Sequence, residues 1–227
     1  MALLVIEGLD GAGKSTQVGL LQKHLEINNL QYKYLHFPRT NSPVYGDLIA
    51  RFLRGELGDI GSVNPYLVAL IYAGDRADAK SLLEQWANEE MIIILDRYVY
   101  SNIAYQCAKL ADMQQKESLK AWILETEFNY FKLPKPDLNI FLDVPFAFTK
   151  RNLTQNREGN DRQYLNGQRD IHEESLHFQN EVRNVYLSLE SMKEFVRIDC
   201  SNGQESILTP EDIFNKVITE IKKVVSL

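Results

Sequence analysis

The chain has 227 residues, 44% hydrophobic and 25% charged, the balance of one globular domain with a sizeable core and not of a disordered, fibrous or disulfide-stapled chain. Its 31 acids outnumber its 25 Lys and Arg for a formal net charge of −6, which argues against a surface that coats nucleic acid or binds an anionic membrane. An anionic ligand must be captured by a local group of cations.

In chain order, apolar runs at 3–6, 32–37, 91–95, 138–142 and 195–198 predict strands. Their nearly unbroken apolar character predicts burial on both faces. Amphipathic stretches predict helices over 14–28, 43–54, 64–88, 99–109, 115–131, 145–155, 170–191 and 210–225. Thr209-Pro210-Glu211-Asp212 opens the last of these with a cap, an N1 proline and first-turn acids. The alternation predicts an α/β fold, three layers deep, with a five-stranded parallel sheet covered by helices on both faces. No repeat or linker divides the chain, so a single domain over 1–227 is expected. Such sheets bind ligands beyond the carboxyl ends of their strands.

Cys107 and Cys200 form no CxxC pair, and the four histidines show no metal-ligand spacing. The opening MALLVIEGLDG is short and has no basic segment before it, so it does not read as a signal peptide, and a cytoplasmic location is expected.

Directly after the first predicted strand comes Gly8-Leu9-Asp10-Gly11-Ala12-Gly13-Lys14-Ser15-Thr16, a G-x-x-x-x-G-K-[ST] phosphate loop between a strand and a helix. Its glycines let successive backbone N–H groups turn toward one phosphate, and the helix start adds positive dipole. Lys14 suits the β- and γ-phosphates, and the Ser15 hydroxyl suits Mg²⁺. The loop alone leaves GTPases, ATPases and small kinases open. No Asn-Lys-x-Asp guanine reader is present.

Arg39 follows the second strand and Asp96-Arg97 the third, which places both arginines at the carboxyl edge. Arginine forks suit a phosphate monoester. Asp96 is placed to hold a Mg²⁺ hydration shell.

The phosphate loop, Phe37-Pro38-Arg39, Asp96-Arg97-Tyr98-Val99-Tyr100-Ser101, Asn102-Ile103-Ala104-Tyr105-Gln106 and Pro136-Asp137-Leu138 with Leu142-Asp143-Val144-Pro145 together resemble the thymidylate kinase family over nearly the whole chain. The resemblance implies a P-loop nucleoside-monophosphate kinase fold and the reaction ATP + dTMP → ADP + dTDP, with Mg²⁺, in a homodimer, as a step of dTTP biosynthesis. It implies that Arg39 and Arg97 hold the acceptor phosphate, that Asp10 contacts its sugar, and that Tyr72 stacks on thymine. Arg76 would bond thymine O4, Ser101, Asn102 and Tyr105 would line base and sugar, and Tyr105 would crowd a 2′-hydroxyl. The catalytic set it implies is Lys14, Asp10, Arg39, Arg97 and a lid arginine. Another kinase of this fold, or a nucleotide-binding regulator without turnover, remains the alternative.

The segment 150–169 carries Lys150, Arg151, Arg157, Arg162 and Arg169 against Glu158 and Asp161, opposite in sign to the whole chain. It reads as a lid closing over phosphates. The phosphate loop has Gly11-Ala12 where some relatives carry an arginine, so the resemblance is to the subtype whose arginine comes from the lid. Arg157 is the first choice and Arg162 the second. Adenine is expected between the lid and 199–203. Helices 43–54, 64–88 and 99–109 are candidates for an apolar dimer face.

Overall fold

Five parallel strands, β1 (Ala2–Gly8), β2 (Tyr32–His36), β3 (Ile92–Asp96), β4 (Leu138–Asp143) and β5 (Phe195–Asp199), form one sheet in the order β2-β3-β1-β4-β5 in the computed structural model. It describes residues 2–154, 164–165, 170–173, 175–203 and 206–225. Ala2 lies against Ile92 and Ile6 against Asp96. The loops leaving β1 and β3 therefore open side by side at the carboxyl edge.

Every residue of β1, β3 and β4 is buried, as the apolar runs predict. The edge strands β2 and β5 are only partly buried, because one flank of each has no neighbouring strand. The expectation of burial on both faces fails there.

Helices α1 (Lys14–Ile27), α2 (Tyr45–Leu53), α3 (Pro65–Asp78), α4 (Lys80–Asn88), α5 (Val99–Cys107) and α6 (Met113–Leu124) follow in turn. The last runs on into a π-helical turn, Glu125–Tyr130. Next come α7 (Phe146–Thr154), α8 (Leu176–Ser188) with a 3₁₀ turn, Leu189–Ser191, and α9 (Pro210–Ile221). Thr209 caps α9 as expected, its hydroxyl accepting from the Asp212 N–H at 3.1 Å.

The predicted helix 64–88 is two helices meeting at Ala79, whose N–H is shared between the carbonyls of Asp75 and Arg76. The break lets α3 bury Asp75 and Arg76 while α4 independently buries Leu83. The predicted helix 170–191 starts only at Leu176, where Ser175 caps it by accepting from the Phe178 N–H. Asp170 closes a separate turn by accepting from the His172 N–H at 2.8 Å.

All nine residues of α5 are buried within the chain, which removes it from the expected dimer face. A second small core of Ile49, Phe52, Leu53 and Val68 joins α2 to α3 and packs against Tyr72. Among the described residues no helix is long and apolar enough to cross a membrane.

Candidate active site

One cavity of about 920 Å³ runs along the carboxyl edge. It gathers Asp10, Gly11, Ala12, Gly13, Lys14 and Ser15 of the phosphate loop with Arg39, Tyr72, Arg76, Asp96, Arg97, Ser101, Asn102 and Tyr105. Of the predicted site residues that are described, only Gly8, Leu9 and Thr16 do not line it. Arg157 and Arg162 lie outside the described residues. The 199–203 loop, expected near adenine, contributes nothing to this cavity.

Gly11 and Gly13 have φ of 77° and 82°, values that only glycine adopts without strain. Gly13 also caps α1 without a side chain, so first-turn N–H groups stay available for an anion. Lys14 is buried and its Nζ donates to the carbonyls of Leu9 at 3.1 Å and Gly8 at 3.3 Å. Burial and the neighbouring Arg97 charge push its ammonium down to about 8.

Arg97 is the hub of the site. Its φ of 69° is strained for a non-glycine residue and turns the side chain across toward the phosphate loop. Its Nη2 donates to Asp10 at 2.6 Å and to the Tyr105 hydroxyl at 3.1 Å. The Tyr105 hydroxyl in turn donates to the other Asp10 oxygen at 2.7 Å, and Gln179 on α8 donates to that same oxygen at 3.0 Å. Burial would raise the Asp10 carboxyl, but the charges of Arg97 and Lys14 outweigh it and hold the group well below the usual range.

Ser101 faces inward as much as outward. Its hydroxyl lies 2.5 Å from Glu7 and accepts from Arg97 Nη1 at 3.2 Å. Glu7, at the end of β1, is fully buried and also accepts from the Tyr98 N–H and the Tyr186 hydroxyl. Burial pushes its carboxyl up, against the Ser101 hydrogen bond and the Arg97 charge. Ser101 therefore braces Arg97 from behind.

Arg39 lines the cavity, with its fork engaged on protein partners. Its Nε donates to Asp75 Oδ1 at 2.9 Å, and its Nη2 donates to the Asp75 carbonyl at 2.8 Å and to Asp78 at 2.6 Å. The fork is turned onto α3 because two carboxylates there lie within its reach. Arg76 also has a protein partner, a buried two-point pair with Glu127 at 2.5 and 2.7 Å. Burial alone would lower the Arg76 guanidinium; the Glu127 charge and hydrogen bonds more than offset this and raise it. Tyr72 is half-buried beside the second core, and burial pushes its phenol well up, so it stays neutral.

A Mg²⁺ ion of the kind phosphate loops use with a triphosphate would find suitable donors here. Asp96 is buried, one carboxylate oxygen lies 3.1 Å from His36 Nδ1, and the other has no hydrogen-bond partner among the described residues. Burial raises this carboxyl, yet the His36 hydrogen bond and the Lys14 charge bring it below its ordinary value, so the oxygen is anionic. Ser15 is exposed on the same cavity. Among the described residues no group of three or more His, Cys, Asp or Glu could hold a metal alone. Mg²⁺ shared with substrate phosphates needs only one or two protein oxygens.

Several residues of the site escaped sequence reasoning. Glu7 carried a faint signal, an acid inside an apolar strand. Glu127, Gln179, Asp170 and His172 carried none, because they come from distant parts of the chain. Asn152 on α7 ties the start of the expected lid to the phosphate loop, donating to the Gly11 carbonyl at 2.8 Å.

The family model described as Thymidylate kinase matches residues 6–209. Thymidylate kinase of Mycobacterium tuberculosis is 39% identical over 142 residues, 63% of this chain and 65% of that protein. The chain thus spans just under two thirds of that relative. Probable thymidylate kinase of Pyrococcus horikoshii is 33% identical over 221 residues, 96% of this chain and 95% of that protein. The solved structure of thymidylate kinase from Candida albicans superposes with a TM-score of 0.73 at 24% identity, over 98% of this chain and 91% of that one, a likeness of fold.

Proposed function

The chain belongs to the thymidylate kinase family, and on that premise we propose that it phosphorylates dTMP to dTDP with ATP as donor. The observation that carries the reading is the Asp10–Arg97 contact at 2.6 Å, which joins the triphosphate loop and the acceptor arginine in one cavity.

The proposed mechanism is one of positioning and charge neutralisation, which suits a reaction whose nucleophile is already a phosphate oxygen. Residues 8–16 cradle the ATP phosphates through backbone N–H groups, and Lys14 moves from its carbonyl partners onto them. Arg97 grips the acceptor phosphate, braced by Ser101 and Glu7. Arg39 joins it by exchanging Asp78 for the phosphate. Asp10 orients the sugar, Tyr105 packs against it, and Tyr72 stacks on thymine. Arg76 and Asn102 meet the ring edge. Ser15 and Asp96 would hold Mg²⁺, which neutralises charge on the phosphates. A lid arginine, Arg157 first and Arg162 second, closes over the transferring group.

A homodimer is part of the proposal, and α3 supports it with Leu67 and Leu70, 60% and 42% exposed; light scattering tests this. A cytoplasmic location is also proposed; Cys107 and Cys200 form no disulfide, as suits a reducing compartment.

ADP release measured with ATP and a panel of acceptors tests the function. We expect dTMP to be preferred, dUMP to lose about 1–3 kcal/mol for its missing methyl, and dGMP and thymidine to be poor. ADP release independent of dTMP, or equal rates with dGMP, overturns the reading.

A further inference from the structure

We propose that Glu127 sets the base preference of the acceptor pocket by fixing the hydrogen-bonding polarity of Asn102 and the orientation of Arg76. The inference rests on the reading that these two residues meet the ring edge.

Glu127 is fully buried on the π-helical turn that ends α6, a local departure from α-helix of the kind found often at functional sites. Its Oε2 accepts from Arg76 Nε at 2.5 Å. Its Oε1 accepts from Arg76 Nη2 at 2.7 Å and from Asn102 Nδ2 at 2.9 Å. One carboxylate thus holds both residues.

The second Asn102 hydrogen goes to the Ala69 carbonyl at 3.0 Å. A carboxylate and a backbone carbonyl can only accept, so the amide cannot flip without losing both bonds. What Asn102 has left is its oxygen, which is buried and has no partner among the described residues. Arg76, anchored through Nε and Nη2, has only N–H groups to offer at Nη1.

Asn102 and Arg76 both line the cavity. The pair therefore presents one acceptor and one donor. A lactam edge, O=C–N–H, satisfies both, as in thymine and uracil. An amidine edge, H₂N–C=N, is mismatched at both, as in cytosine. Guanine carries the lactam polarity too, so its exclusion must come from size, while cytosine, which fits by size, must be excluded by polarity. A site built to hydrogen-bond a given group discriminates strongly because a mismatch leaves buried polar atoms unpaired.

Glu127→Gln is the test. The glutamine replaces one carboxylate oxygen by an NH₂ donor: at the Oε1 position it deprives Arg76 Nη2 and Asn102 of their shared acceptor, at the Oε2 position it faces the Arg76 Nε–H, and no orientation keeps all three bonds. The readout is kcat/KM for dTMP divided by kcat/KM for dCMP, with folding followed by circular dichroism and KM for ATP as the internal control. We expect the ratio to fall about ten-fold or more, with KM for ATP within about two-fold.

A parallel loss on dTMP and dCMP that leaves the ratio unchanged overturns the inference. Asn102→Ala separates the two levels of the argument. If it leaves the ratio intact, the ring-edge reading fails and the inference with it. If it collapses the ratio while Glu127→Gln does not, only the role of Glu127 fails. Should Glu127→Gln not fold, Glu127→Asp, which keeps the charge but shortens its reach to both Arg76 and Asn102, must narrow the ratio as well.

Discussion

Arg39 Nη2 donates to Asp78 at 2.6 Å, and the Asp78 side chain is 52% exposed. An exposed ion pair of this kind is weak and easily exchanged, whereas the Asp75 partner on the other side of the guanidinium is buried. Asp78 thus competes for the fork that the proposed acceptor phosphate needs. Asp78→Ala is expected to lower KM for dTMP by no more than about five-fold and to leave KM for ATP unchanged. Steady-state kinetics with each substrate varied checks this, and a raised KM for dTMP counts against it.

Arg97 is expected to be far less replaceable. It contacts Asp10, Ser101 and Tyr105 from a strained backbone position. Arg97→Ala should lower kcat/KM for dTMP by about 10²–10³, with little change in ATP binding. Arg97→Lys should not restore it, since a single ammonium cannot span three partners and a phosphate.

Asp170 gives stability a pH dependence. Burial, together with the Asp10 and Glu173 charges, pushes its carboxyl up to about 7. Between about pH 4 and 7 the native chain holds a proton that the unfolded chain has released, so this group makes stability fall as pH rises. Asp170→Asn should therefore be more stable than the parent at pH 8, by roughly 1–3 kcal/mol, and equal it near pH 4. Thermal melts across pH check the crossover.

His172 acts at the acid end. It is buried against Tyr105, Phe178 and Phe52. Burial and the Lys109 charge lower its imidazole to about 3. The stability it supports is complete above about pH 6.5 and is lost as pH falls toward 3. His172→Phe should flatten this limb, and its melting advantage over the parent should grow as pH drops below 6.5. A constant difference between the two proteins would refute the assignment.

For the lid, Arg157→Ala is expected to lower kcat with little change in KM for ATP, and Arg162→Ala to do much less. Single-turnover kinetics of both variants decides between them. The reverse ranking would move the role to Arg162.

The sequence alone determined the phosphate loop, the parallel α/β order and the appearance of Arg39, Asp96 and Arg97 at strand ends, because each is a local pattern. Glycines at fixed spacing, apolar runs of strand length and residues just beyond them are legible without knowing what lies across the molecule. Only the tertiary structure decided the partners. Arg76 is held by Glu127, 51 residues away, and Asp10 is bonded by Gln179, 169 residues away. It also decided that α5 lies inside, that the 64–88 helix breaks at Ala79, and that the Arg39 fork turns onto α3. Each of these follows from which charges and cavities meet when separated segments pack, and a charge on a helix face carries no mark of the carboxylate it will find.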